Sequence, residues 1–416
     1  MPKDMKVRRY GFERKRKQKR QMITTVVMVL LVGTAAVVGW FAFDPIYDFV
    51  VNFELPSLGG QQPSDPPPEP GSQSPAPVDP APLPEQPQEE AFPGIAAYLP
   101  PAMMTPEALP ARLDALKAQG VQGVVFDLKD AQGVVQYQSA LPQVAANLAQ
   151  AENAPDLAQT VAAIRQAGLV PVGRLYAFRD HTAPKHLYEA AVKYNHSKVN
   201  WINDSSANGG RPWLNPNHPD AQQYVLDLMA EAAGLGLDQV ILDGVQFPQG
   251  VALHLATYGV AGEIDKSAVL AGFLTKAESQ AADRGVTLWP VVNLLSAAGI
   301  SDVRYGTDVG QLLRAAGRGV LEVMPDQFGA GVTSEGLTLS SPVLTPYQTV
   351  QSALEACASV LGEGTYVAMV QAYTAPGLPD TANQPYTRAQ VEDQMRAARE
   401  QGIASALWYN PAGSYP

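Results

Sequence analysis

Asp243 closes the run Gly234-Leu-Gly-Leu-Asp-Gln-Val-Ile-Leu-Asp-Gly-Val-Gln-Phe-Pro248, in which apolar β-formers stop at a carboxylate followed by a glycine and a proline-closed turn. A buried strand that ends this way delivers an acid to its carboxyl end. In parallel α/β folds the loops at that end converge on a crevice or barrel mouth, where chemistry is done. Asp243 is therefore the first candidate catalytic residue. Other strand-like runs also end in polar groups: Asp127, Lys129 and Asp130; Arg174, Tyr176, Arg179 and Asp180; Asn293; Glu322 and Asp326; Gln371 and Tyr373; Trp408, Tyr409 and Asn410. Such convergence suits a polar ligand with many hydroxyls, and Trp201, Trp213 and Trp408 offer flat faces on which sugar rings stack.

Other chemistries find less support. The five histidines, His181, His186, His196, His218 and His254, show no zinc-type spacing, so no metal and no cofactor is expected. A Gly-x-Ser-x-Gly elbow is missing, as is a phosphate loop after any strand. Paired carboxylates remain: Asp243, Asp127 and Asp326 as the catalytic candidates, with Lys129, Arg174, Asp180, Trp213, Asn293 and Trp408 as substrate-binding candidates. Arg174 is expected to hold Asp243 or Asp127 ionised. A purely structural alternative stays open, in which Arg174 only neutralises a buried acid and the tryptophans cap the core.

The elements that position these residues repeat. Strands are expected near Ile95–Leu99, Gly123–Leu128, Val170–Tyr176, Gln239–Asp243, Thr287–Leu294, Val320–Met324, Tyr366–Tyr373 and Ala404–Tyr409. Helical patterns lie between them, several ending in a glycine that leads into the next strand, as in Ala167-Gly168 and Arg284-Gly285. Near-continuous apolar runs mark strands covered on both faces. Eight such units predict an α/β fold, a (β/α)8 TIM-type barrel, with an open doubly wound sheet as the alternative. The connection from Phe178 to Asp220 is too long for a simple barrel loop, and long structured loops at a mouth are usually functional.

The barrel does not account for the whole 416-residue chain. The first twenty residues hold ten Lys and Arg against Asp4 and Glu13, a local +8, so the remainder carries −19 of the formal total of −11. Met22 to Phe43 is uncharged and apolar, long enough to span a bilayer as a helix. Its basic flank belongs in the cytoplasm, on anionic headgroups, and its Trp40-Phe41 end at the opposite interface. Twelve prolines fall between Pro63 and Pro93, the composition of a semi-rigid polyproline II spacer. The expected organisation is a basic cytoplasmic segment 1–21, a transmembrane helix 22–43, an extracellular linker 44–93 and the barrel 94–416. This makes a single-pass protein of the cell membrane with its C-terminal domain outside. Nucleic acid is excluded as a partner for so acidic an outer domain, and the single cysteine, Cys357, excludes an intrachain disulfide.

The blocks Gly94-Ile-Ala-Ala-Tyr, Val124-Val-Phe-Asp-Leu-Lys-Asp130 with Gly133, Val172-Gly-Arg-Leu-Tyr-Ala-Phe-Arg-Asp180, Trp213-Leu-Asn-Pro216, Ala230-Glu-Ala-Ala-Gly-Leu-Gly-Leu-Asp238 and Leu242-Asp-Gly-Val-Gln-Phe-Pro248 resemble a family of bacterial, often membrane-anchored glycosyl hydrolase-like proteins. Its barrel is related to that of the α-amylases. The resemblance runs from about Gly94 to the C-terminus and is strongest up to Pro248. It implies that Asp243 is the nucleophile and that the acid ending the fifth strand is the proton donor. Two departures matter. The family's Asp-Tyr-Val-Arg-Phe-Pro reads Asp243-Gly-Val-Gln-Phe-Pro248, losing an arginine, and Trp289-Pro-Val-Val-Asn-Leu-Leu-Ser296 has Asn293 in the region where the family shows an aspartate. Glycoside hydrolysis normally needs two carboxyls. Asp326, Glu322, Asp127 or Asp180 would have to supply the second. Two readings follow: a membrane-anchored extracellular glycoside hydrolase acting on a surface or environmental polysaccharide, or a weak or inactive glycan-binding or cell-envelope scaffold protein on the same fold.

Overall fold

The computed structural model describes residues 91–416 except 251, 261, 295–307 and 335–336. The expected cytoplasmic segment, transmembrane helix and all but the last residues of the linker lie outside the described residues. No helix among the described residues is long and apolar enough to cross a membrane.

Eight parallel strands close into a barrel in chain order: β1 (Ile95–Leu99), β2 (Gly123–Lys129), β3 (Val170–Tyr176), β4 (Gln239–Asp243), β5 (Thr287–Asn293), β6 (Arg318–Glu322), β7 (Thr365–Gln371) and β8 (Ser405–Tyr409), which returns to β1. Among the described residues, besides the one-turn helix Pro142–Ala146, the helices between them are α1 (Leu109–Ala118), α2 (Leu157–Gln166), α3 (Pro219–Gly234), α4 (Lys266–Ala282), α5 (Val309–Ala316), α6 (Pro346–Leu361) and α7 (Arg388–Glu400). The fold is thus a TIM-type α/β barrel, not an open sheet. Side chains alternate across each strand. Val125, Val172, Ile241, Trp289, Val320, Met369 and Leu407 fill the barrel, and Phe92 seals its lower end 5.2 Å from the Trp289 ring.

The outward rows pack against helices whose apolar residues recur at helical spacing, such as Leu157, Val161 and Ile164 on α2. Polar residues fix where these helices start. Asp156 accepts from the Gln159 amide, Asp265 from that of Ala268, and Thr387 with Gln390 forms a capping box. The expected glycine stops hold, with Gly168 and Gly285 at φ +79° and +70°, where a Cβ would be strained. The long β3–α3 connection is knitted to the β4–α4 loop by an antiparallel pairing of Lys193–Tyr194 with Ala256–Thr257.

Candidate active site

Above the packed layer, the inward row of each strand continues to the mouth. This puts Tyr98, Asp127, Arg174, Asp243, Asn293, Glu322, Gln371 and Tyr409 on the inward rows of β1 to β8, and Tyr176 ends the row of β3. Register keeps the ends level: Tyr176 lies opposite Asp243, Asn293 opposite Glu322, and Gln371 opposite Tyr409.

Asp243 is mostly buried, its side chain 12% exposed. Arg174 donates to its Oδ2 from Nε at 2.9 Å and from Nη2 at 2.5 Å, and the Gly244 amide donates to Oδ1 at 2.6 Å. Charge-assisted bonds of this number suit an anion. The backbone is fixed too, because the amides of Ala177 and Phe178 donate to the carbonyls of Asp243 and Gly244. Gly244 stands at φ +63°, and a Cβ there would come within 3.2 Å of both Tyr176 and Arg179. The tight turn after the acid therefore favours glycine in this chain.

Arg174 is buried among aromatic rings, its guanidinium carbon 5.8, 4.7 and 5.2 Å from the centres of Tyr98, Tyr176 and Tyr409. Burial works to lower its pKa, but Tyr176, Asp243, Asp127 and Tyr409 together hold it well above the usual value. Asp127 accepts from the Tyr98 hydroxyl at 2.7 Å, while its Oδ1 is buried with no partner. Burial pushes its carboxyl up to about 6, against the pull of Arg174 and Tyr98.

Glu322, the last residue of β6, is half-buried and accepts from Asn293 Nδ2 at 3.0 Å. Burial, then the negative charge of Asp243, push its carboxyl up to about 7, with Asn293, Arg174 and Gln327 opposing. Asn293 is thus the hydrogen-bond partner of an acid on the neighbouring strand. Asp326, in the short helical turn Pro325–Phe328, accepts from the Tyr373 hydroxyl, and its amide donates to Gln371 Oε1 at 2.9 Å. Its Oδ1 has no partner, and burial raises its pKa.

Four of the expected substrate-binding residues are placed elsewhere. A bulge between Asp127 and Lys129 inserts one residue into β2 and turns Lys129 out of the barrel, where it pairs at 2.8 Å with Asp180, both side chains fully buried. Trp408 faces the helices, its indole nitrogen 3.2 Å from the Met395 sulfur, and is 1% exposed. Trp213 and Trp201 are buried in the β3–α3 connection, Trp213 edge-on to His181. None of the three tryptophans offers a free face to a sugar, because each is packed as core. Tyr98 carries no strand-end signal, yet it reaches the site. Its only trace in the sequence is its parity with Ala96. Among the described residues no group of three or more His, Cys, Asp and Glu is placed to hold a metal ion.

Residues 96–415 match the model of the family described as "Putative glycosyl hydrolase domain". The chain belongs to that family. Among solved structures, the glycoside hydrolase domain of PgaB (BpsB) from Bordetella bronchiseptica is similar at 14% identity and a TM-score of 0.55, over 77% of this chain and 94% of that one. A hypothetical protein from Ruminiclostridium thermocellum is 25% identical over 47% of this chain and 96% of its own, with a TM-score of 0.41. The catalytic domain of β-amylase from Paenibacillus polymyxa is 12% identical over 78% and 95%, with a TM-score of 0.45. No match to a curated protein is found.

Proposed function

We propose that the barrel is a glycoside hydrolase that cleaves a surface or environmental polysaccharide, with Glu322 as proton donor and Asp243 as nucleophile or charge stabiliser. One observation carries this reading: two inward carboxyls, on β4 and β6, sit in opposed environments. Asp243 is clamped by a guanidinium and a backbone amide, whereas Glu322 is pushed up to about 7 and so keeps a proton to give near neutrality. A carboxyl whose surroundings hold its proton near neutrality is suited to the acid's role.

The expected fifth-strand donor is replaced by Asn293, which hydrogen-bonds Glu322 from the side. In this reading the acid has moved one strand along the barrel and remains at the mouth. Strands β4 and β6 are two strand spacings apart, on the order of 10 Å, and their side chains turn inward. The charge of Asp243 acts on Glu322 across the mouth, and a carboxyl pair serves glycoside hydrolysis at about 5 Å for retention or up to about 9.5 Å for inversion. Arg174 supports the anion at Asp243, Asp127 stands beside it as a carboxyl that burial and the charge of Asp243 push up, and Asp326 lies at the rim. The basic N-terminal segment and Met22–Phe43 would tether the domain to the outer face of the cell membrane through the Pro-rich linker.

The alternative, a non-catalytic glycan binder, draws on the engagement of one Asp243 oxygen by two Arg174 nitrogens. Release of reducing ends from cell-wall and plant glycans by wild type and Asp243→Asn separates the two. Turnover in wild type that is lost in the variant while binding persists supports the enzyme. Binding without turnover in wild type supports the binder.

A further inference from the structure

The strand-end run Trp408-Tyr409-Asn410 divides three ways in the structure. Trp408 is core under α7, and Asn410 pins the loop: its side chain donates to the Ala372 carbonyl at 3.0 Å and accepts from the Ala412 amide at 2.9 Å. Tyr409, two residues after the inward Leu407, turns into the mouth. Its backbone is fixed there, because the Ala372 amide donates to its carbonyl at 2.9 Å and the register with β7 sets it opposite Gln371.

Four tyrosines meet at the mouth, and three of their hydroxyls are already engaged. Tyr98 donates to Asp127 at 2.7 Å, Tyr176 accepts from Arg174 at 2.5 Å, and Tyr373 donates to Asp326. The Tyr409 hydroxyl has no hydrogen-bond partner among the described residues and is not a buried unmet group, so it opens to the water of the mouth. This sets it apart from Asp127 Oδ1 and Asp326 Oδ1, which lie out of solvent. The ring that carries it is held on three sides. It lies 5.2 Å from the Arg174 guanidinium carbon, 5.1 Å from the Tyr98 ring centre and 6.3 Å from that of Tyr373. Arg174 in turn binds Asp243, and Tyr373 binds Asp326, so the Tyr409 ring touches both halves of the site.

Resting on the hydrolase reading, we propose that Tyr409 is a substrate-binding residue: its hydroxyl bonds a hydroxyl of the sugar that meets Asp243, and so orients that sugar at the point of cleavage. A phenol both donates and accepts a hydrogen bond, as a sugar hydroxyl does, so the two are matched partners. Because the ring is already fixed, the contact spares the entropy of ordering a long side chain on binding. A site that hydrogen-bonds a substrate hydroxyl also rejects a sugar that lacks it.

Tyr409→Phe in the full chain tests this, since it removes one oxygen and keeps the ring on Arg174. Wild type and variant are compared on solubilised peptidoglycan, xylan and arabinogalactan, by reducing-end release and by calorimetric titration. The loss of one neutral hydrogen bond should lower kcat/KM and affinity by roughly three- to tenfold. The thermal midpoint and the shape of the pH dependence should stay as in wild type. Unchanged kcat/KM and affinity would overturn the proposal and leave the hydrolase reading standing. A midpoint lowered by several degrees would overturn it too, because the hydroxyl would then be structural. Wild type that binds a glycan without turnover, with weaker binding by Tyr409→Phe, would keep Tyr409 as a glycan contact and remove the hydrolase. Binding of none of the three glycans by wild type overturns the proposal.

Discussion

Arg174 and Asp243 form a pair with both side chains almost out of water. Removing one partner strands the other charge, so Arg174→Met should lose about 3–5 kcal/mol of stability in denaturant unfolding, well beyond an exposed pair. Glu322 behaves oppositely. Its folded-state pKa, about 7 against an ordinary 4.5, means that the native state holds the proton more tightly than the unfolded chain. Its contribution is fully present below about pH 4 and is lost as pH rises through 7. Glu322→Gln cannot ionise, so its Tm should exceed that of wild type at about pH 8 and approach it at about pH 4. Asp243 was legible in the sequence because an apolar strand ends on it. The role of Glu322 was harder to read, since a strand expected at 320–324 begins and ends two residues earlier, which makes Glu322 its last inward residue.

Strand positions were readable throughout, because apolar runs covered on both faces leave few other solutions. What the sequence does not print is the bulge in β2. Strict alternation would place Lys129 with Asp127 inside the barrel, but the inserted residue sends it to Asp180. The family-like motifs around Lys129, Gly133 and Asp180 are thereby explained as a brace. Asp180 accepts from Lys129 and from the amides of Thr182 and Ala183, and Lys129 also donates to the Ala177 carbonyl. The Ala177 amide in turn holds the Asp243 carbonyl. Lys129→Met should therefore destabilise the fold by about 3–5 kcal/mol through an unpaired buried carboxylate, read as a fall in the unfolding midpoint. Gly133→Ala should be comparably harmful, since a Cβ at this φ of +87° would lie 1.9 Å from Asp180 Oδ1. Trp201 and Trp213 are what the long β3–α3 connection packs on, and Trp408 lies on the outward row of β8 under α7, so all three are core.

At the scale of the whole molecule, the sequence runs from a basic and then apolar N-terminal region through a proline-rich stretch to an acidic barrel. Deleting residues 22–43 should move the protein from the membrane fraction to the soluble one without altering the thermal transition of the barrel. Retention in membranes after that deletion would remove the anchor proposal. Catalysis should follow the proton on Glu322. The measurement that tests the account most directly is the pH dependence of reducing-end release by wild type and Glu322→Gln. The predicted result is wild-type activity that declines as pH rises through about 7, and a variant slower by about 10²–10⁴-fold without that limb. A variant that keeps the wild-type rate and the wild-type limb would contradict the assignment of Glu322 as the acid.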